Sequence, residues 1–260
     1  MTGPASVLEL MVFTLARDIR DGETAFVGGV IAEIPLAACL LAQRLHAPNL
    51  TLYTVNAAVN PRPLTLQHSG PDGRHLHRAE SLTDYHDIFE FSERGADFVF
   101  YGGLQIDAFG NTNLHFIGED WTRPTLRGPG VANISLAVTS GRTYLYSLRH
   151  DRRTFRPKVD FITIPGHLDG PGGRRRAGIR TEGPRLCVTP LSVFDFPEAT
   201  RRMRLRSVHP GVSLDTVREQ TGFDLELAGV EVPTTPGPKA SELRLLRREI
   251  DRNGLLQRDV

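Results

Sequence analysis

Residues 101–113 read Tyr-Gly-Gly-Leu-Gln-Ile-Asp-Ala-Phe-Gly-Asn-Thr-Asn, and they concentrate groups suited to holding a polar ligand. Gly102 and Gly103 end an apolar run that starts at Phe98; lacking Cβ atoms, they let backbone N–H groups come close to a bound molecule. Gln105, Asp107, Asn111 and Asn113 crowd amide and carboxylate groups beside that backbone. The same string also fits a β-hairpin whose 109–111 tip supplies positive φ. Both readings stand on these residues, and neither names a ligand. Further on, Gly128-Pro-Gly130 leads into a helix expected to begin near Ala132. That arrangement offers free N–H groups and a positive dipole end to a carbonyl, carboxylate or phosphate, with Asn133 as a further donor. Two arginine-rich segments, 149–153 and 170–176, suit phosphates equally well as solvent or a subunit contact. The second is no P-loop, because no Lys-Ser or Lys-Thr follows its glycines.

Taken together, Gly102-Gly-Leu-Gln-Ile-Asp107 and Gly110-Asn-Thr-Asn113 resemble the GGAQID…GNVN signature of the β subunits of type I CoA-transferases, the family of glutaconate CoA-transferase. Gly128-Pro-Gly-Val-Ala-Asn133 resembles that family's GSGGAN loop. His150-Asp-Arg-Arg153, Val159-Asp-Phe-Ile-Thr163, Pro165-Gly166, Leu168-Asp-Gly170, Val193-Phe-Asp-Phe196, Ser207-Val-His-Pro-Gly211 and Thr221-Gly-Phe223 follow in the family's order. The resemblance covers about residues 5 to 252. It implies an α/β fold with an open, mostly parallel sheet flanked by helices, of the CoA-transferase and ribose-isomerase type. It also implies coenzyme A as a thioester substrate and an α-like subunit as partner in a heterodimer or heterotetramer. Gly102, Gly103, Gln105, Asp107, Asn111, Asn113, Gly128, Gly130 and Asn133 become the expected substrate or CoA contacts, with no bound cofactor and no metal.

One departure bears on the reaction. The family places a nucleophilic glutamate at the end of the strand expected over 49–56, and anchoring on His46-Ala-Pro48 puts that position at Val55. Such a carboxylate forms an acyl anhydride and then a thioester with CoA, which is covalent catalysis. Neither Val55 nor Asn56 can do this, and no Asp or Glu occurs between Asn49 and Pro71. Relatives lacking the glutamate include ring-opening hydrolases of steroid catabolism and a decarboxylase, which still handle acyl-CoA substrates. The resemblance therefore implies an acyl-CoA enzyme of catabolism working by hydrolysis, C–C cleavage or decarboxylation. A true CoA-transferase of the glutaconate or 3-oxoacid type, or a noncatalytic acyl-CoA-binding or scaffolding subunit, are the alternatives. Asn56 is an orienting or hydrogen-bonding candidate.

The elements that must position these residues follow from hydrophobic periodicity. Helices are expected over 6–20, 34–45, 84–93 and 213–220, the third capped by Thr83 or Asp84, with a final helix striped by Leu243, Leu246 and Ile250. Strands are expected over 24–29, 49–56, 98–101, 114–118, 143–148, 186–196, 203–208 and 223–227. Residues 60–83 have weak periodicity and read as a long surface segment that could roof the site. Its His68, His75 and His77 read as solvated loop histidines. Trp121 is expected to pack. The 260 residues are expected to form a single domain over 1–260. With 31 basic against 30 acidic residues, nothing global favours nucleic acid or an anionic membrane as partner. Cys39 and Cys187 sit in apolar contexts, as expected of reduced thiols in a cytoplasmic protein. No apolar run approaches the roughly 20 residues that span a bilayer.

Overall fold

Ser6 starts the first element by a reciprocal cap: its hydroxyl accepts from Glu9 N–H at 3.1 Å and Glu9 accepts from Ser6 N–H at 2.8 Å. The helix it opens, α1 (Val7–Ala16), is buried along most of its length, so Glu9 is buried too and is held by Arg247 through bonds of 2.7 and 2.8 Å. The computed structural model describes residues 3–29, 31–132 and 134–258, which fall into two units, 1–100 with 236–260, and 101–235.

In the first unit, β1 (Thr24–Val27) leads through a glycine loop into α2 (Glu33–Leu45), and β2 (Thr51–Thr54) returns parallel to β1. The register pairs Val27 with Thr54, so both strands end at the same level. Their outgoing loops therefore leave side by side, where ligands of such sheets gather. β3 (Ala58–Val59) and β4 (Ser81–Leu82) add antiparallel edges beyond β2. Asp84 caps α3 (Tyr85–Arg94) by accepting from Asp87 N–H at 2.8 Å, and Gly95 ends it at φ +80°. Phe91 of α3 stacks on Tyr53 of β2 at 4.5 Å between ring centres. β5 (Phe98–Tyr101) pairs parallel with the other side of β1. The closing helix Ala240–Leu245 passes into a wider turn at Leu246–Ile250; Leu246 and Ile250 are buried as expected, and Leu243 is half-buried.

The second unit begins with two short hairpins, β6 (Gln105–Ile106) with β7 (Thr112–Asn113), and β8 (Phe116–Ile117) with β9 (Leu126–Arg127). The helix expected near Ala132 is the single turn α4 (Leu136–Thr139). β10 (Arg142–Tyr146) is buried throughout; after the one-turn α5 (Gly173–Arg176) it pairs parallel with β11 (Gly183–Val188). The apolar run expected as one strand over 186–196 is in fact two, β11 and the antiparallel β12 (Ser192–Asp195). The turn between them is closed by Thr189 N–H donating to Ser192 O at 3.0 Å. β13 (Arg204–Val208) is antiparallel to β12; α6 (Leu214–Gln220), capped by Ser213, leads to β14 (Glu226–Leu227), parallel to β13. The result is the expected α/β class, a mixed and mostly parallel sheet with flanking helices. No helix among the described residues is long and apolar enough to cross a membrane.

Candidate active site

The first group of expected site residues sits where β1 and β2 end. Val55 N–H donates to Val27 O at 3.0 Å, extending the ladder by one residue. A Cβ on Gly28 would lie 3.2 Å from the Phe26 ring and 3.6 Å from Val55 Cβ, so the glycine lets the two loops lie together. The chain then reverses. Ala57 N–H donates to Thr54 O at 3.0 Å, and Ala57 takes φ +72°, a strained value for a residue with a Cβ. Val55 is half-buried at this tip.

Asn56 is buried, and its amide is already committed. Oδ1 accepts from the Thr54 hydroxyl at 2.6 Å, and Nδ2 donates to Asp72 O at 2.7 Å. These bonds fix the tip to the 70–75 turn. That turn belongs to the segment expected on the surface. Gly70 N–H donates to Gly29 O at 3.1 Å, and Ala32 N–H donates to His68 O at 3.0 Å. A Cβ on Gly70 would meet Gly29 O at 2.5 Å. The segment thus covers the glycine loop after β1 through backbone bonds.

Two residues here had no role in the sequence reading. His75 is wholly buried rather than solvated; its Nδ1 lies 2.9 Å from Gly70 O, and its Nε2 has no hydrogen-bond partner. Since a carbonyl only accepts, Nδ1 carries the proton and Nε2 holds a lone pair. Burial lowers the imidazole pKa, keeping it neutral. Glu33, in the first turn of α2, is also wholly buried and pairs with Arg258; its Oε2 lies 3.3 Å from His68 Nδ1 without forming a hydrogen bond. The carboxylate of Asp72 is taken by Arg74 at 2.6 and 2.9 Å, which holds it well below the usual carboxylate range.

The second group lies in the β6–β7 hairpin. The tip forms as the hairpin reading expects: Asp107 N–H donates to Asn111 O at 3.0 Å, and Gly110 takes φ +71°. Segment 154–164 flanks the hairpin on both sides, with Ile106 N–H donating to Thr154 O at 2.7 Å and Thr112 N–H to Ile164 O at 3.0 Å. The four polar side chains are buried and bonded to the protein itself. Gln105 Oε1 accepts from Asn113 Nδ2 at 2.9 Å and from Asp160 N–H at 2.9 Å, while Nε2 donates to Asp160 Oδ2 at 3.0 Å. Asp107 Oδ1 accepts from Phe109 N–H at 2.9 Å and Asn111 N–H at 3.1 Å. Its Oδ2 accepts from Asn111 Nδ2 at 3.0 Å. Burial nevertheless raises the Asp107 carboxyl pKa, outweighing these bonds. Asn111 also binds Leu168 O, Gly166 N–H and Leu168 N–H, and Asn113 binds Phe116 O and His115 N–H. The structure brings these residues together as a brace. Their side-chain hydrogen bonds are made within the protein.

The glycines divide into two kinds. Gly128 N–H donates to His115 O at 2.7 Å and Gly130 N–H to Leu114 O at 2.9 Å, so the N–H groups expected to be free are spent. A Cβ on Gly128 would meet Leu114 O at 2.2 Å, which explains the residue by packing. Asn133 lies outside the described residues. Gly103 is also required by packing, since its Cβ would meet Thr112 Cγ2 at 2.3 Å. Yet the N–H groups of Gly102 and Gly103 make no hydrogen bond among the described residues, leaving them as the donors of this stretch.

Of the basic loops, Arg174 is a buried structural residue that donates to Pro165 O, Gly166 O and Thr181 O at 2.8–2.9 Å; burial lowers its pKa to about 10. Arg176 pairs with Asp169 at 2.7 Å. Trp121 is 67% exposed rather than packed. Both cysteines are buried, which pushes their thiols up and makes them unreactive. Among the described residues no group of three or more His, Cys, Asp or Glu could hold a metal.

Residues 9–220 match the family described as Coenzyme A transferase. The chain belongs to that family. The β subunit of glutaconate CoA-transferase from Acidaminococcus fermentans is 32% identical over 250 residues, 94% of this chain and 91% of that protein. The crystal structure of glutaconate coenzyme A-transferase from that organism matches with a TM-score of 0.86 at 29% identity, covering 98% of both chains. The fold is that of the CoA-transferases. The cholesterol ring-cleaving hydrolase IpdB subunit of Rhodococcus jostii is 28% identical over 94% of this chain and 92% of that protein. The decarboxylase AibA/AibB matches with a TM-score of 0.82 at 27% identity, covering 97% of both chains. A transferase, a hydrolase and a decarboxylase thus stand among the relatives of this enzyme.

Proposed function

We propose that the chain is the β subunit of a heteromeric enzyme that acts on an acyl-CoA thioester without a carboxylic-acid acceptor, by hydrolysis, C–C cleavage or decarboxylation. The observation that carries this reading is the β2–β3 tip. Residues 55–57 are Val-Asn-Ala, Asn56 is tied at both ends of its amide, and Asp72 is neutralised by Arg74. Residues 55–57 themselves carry no carboxylate to form an anhydride with an acyl group. The hydrolase and decarboxylase relatives support chemistry of this kind.

In this reading coenzyme A enters as thioester substrate, and an α-like subunit completes the enzyme, as the subunit names of the relatives suggest. Gly102 and Gly103 N–H groups supply hydrogen bonds to an oxygen on which charge develops. Gln105, Asp107, Asn111 and Asn113 hold those glycines in place, and Gly128 and Gly130 shape the neighbouring loop. Residues 1–260 act as one CoA-transferase β-subunit-like domain, in the cytoplasm. The similarity to glutaconate CoA-transferase favours a second reading, transfer of CoA between carboxylic acids with a nucleophile from elsewhere.

Val55→Glu in the copurified heteromer separates the two. The first reading expects no labelled acetyl-CoA from acyl-CoA and labelled acetate with the native protein, and its appearance with the variant. Labelled product from the native protein overturns it.

A further inference from the structure

At the carboxyl end of α2 the first unit holds an open cleft of about 670 Å³, lined by Arg44, Arg62, Arg78, Arg252, Glu80 and Glu249 among others. It is not part of the β2–β3 tip. Asn60, which donates to Glu80 in the cleft wall at 2.8 Å, also bonds Leu52 O through its N–H. Leu52 precedes Val55 by three residues, or roughly 10 Å along the strand. Arg44 lies in the last turn of α2, whose first turn follows the glycine loop after β1. The cleft therefore lies toward the opposite end of β2 from the β2–β3 tip.

Its charges are unbalanced. Glu249 lies 3.5 Å from Arg44, and Glu80 is occupied by Asn60. Arg252 donates to Arg248 O at 2.9 Å. Arg62 and Arg78, both exposed residues of the cleft lining, form no hydrogen bond or ion pair among the described residues. The backbone is restricted at both positions. Arg62 stands between Pro61 and Pro63, which restrict its neighbours' φ and its own ψ. Arg78 takes φ +62°, where glycine or asparagine is the usual occupant. Two exposed arginines without an intramolecular partner in one cleft leave guanidinium groups available to an anion.

We infer that this cleft binds a small, multiply phosphorylated ligand of nucleotide size. Guanidinium forks match phosphate oxygens two at a time. The volume lies within the roughly 300–1,000 Å³ of small-molecule sites and far exceeds what a single inorganic anion fills. The shared chemistry has two sources, a free nucleotide or the phosphorylated nucleotide end of an acyl-CoA.

The test is calorimetric titration of the copurified complex with ATP, adenosine 3′,5′-bisphosphate, coenzyme A and inorganic phosphate, comparing native protein with the Arg62→Gln/Arg78→Gly double variant. Glycine suits the backbone at residue 78, and circular dichroism checks that the variant folds. At least one nucleotide is expected to bind more tightly than inorganic phosphate, and the double variant to weaken it about 100-fold, tenfold for each charged hydrogen-bonding group removed. Binding of ATP points to a free nucleotide as source, and binding of coenzyme A alone to the thioester substrate. Either source supports the site. No nucleotide binding tighter than phosphate, or affinity unchanged in the double variant, overturns it. Because binding is read without turnover, the outcome does not depend on the proposed reaction.

Discussion

Replacing Asn111 with alanine separates a brace from a ligand contact. The native side chain makes four hydrogen bonds, to Asp107 Oδ2 at 3.0 Å, Leu168 O at 2.9 Å, Gly166 N–H at 2.9 Å and Leu168 N–H at 3.1 Å. Gly166 and Asp107 are buried, whereas Leu168 is half-buried and within reach of water. Leaving the Gly166 N–H unmade costs about 1–2 kcal/mol, the charged bond to Asp107 about 1.5, and the two Leu168 groups together about 1. The sum is about 4 kcal/mol. For 260 residues an unfolding entropy of roughly 2.1 cal/mol/K per residue converts this to a fall in Tm of about 7 °C. Thermal unfolding followed by far-UV circular dichroism measures it, and titration with coenzyme A at a temperature where the variant is folded measures affinity. The expected result is the fall in Tm with affinity within about threefold of native. A variant with native Tm and affinity reduced tenfold or more would refute the bracing role.

Burial holds His150, His167 and His209 at about 4, below the ordinary 6.5, because charging them inside the second unit costs more than their hydroxyl and carbonyl partners return. The unfolded chain takes up these protons near 6.5 and the folded chain only near 4. Their contribution is therefore full above pH 6.5 and is lost as pH falls toward 4, about 2 kcal/mol per histidine by pH 5. The urea midpoint should fall from pH 7.5 to pH 5, and a constant midpoint would contradict this. At His75, asparagine keeps a donor for the Gly70 carbonyl and removes Nε2, whereas glutamine loses that donor. His75→Asn should hold its Tm within about 2 °C of native and His75→Gln should lose about 1–2 kcal/mol. Equal losses in thermal unfolding would show that the Nδ1 bond is not what fixes the ring.

Much of the frame was legible from local signals. Asp84 with Gly95, Ser213 before α6, and the glycine at the hairpin tip each mark an element boundary by a backbone need that the residue alone meets. The split of 186–196 was hidden because apolar residues continue on both sides of a turn closed by Thr189 and Ser192. The site was legible as a location, less so as contacts. Gly128 and Gly130 look like free donors until the chain brings Leu114 and His115 against them, and nothing near Gln105 in sequence announces its bond to Asp160, 55 residues away. Residues 60–83 lack periodicity because they attach through backbone bonds to Gly29 and Ala32, which no side-chain pattern records. Glu33 reads as a helix-start acid, and only the fold buries it with Arg258.

The central claim, chemistry on an acyl-CoA without an acceptor acid, is tested most directly by mass spectrometry of the CoA species and acids formed when the copurified heteromer meets dicarboxylic and 3-oxoacyl-CoAs. Gain of water or loss of carbon dioxide without any added acid is the expected result. Products that form only when an acceptor acid is supplied, with its label carried into a new thioester, would contradict the claim and make this enzyme a transferase.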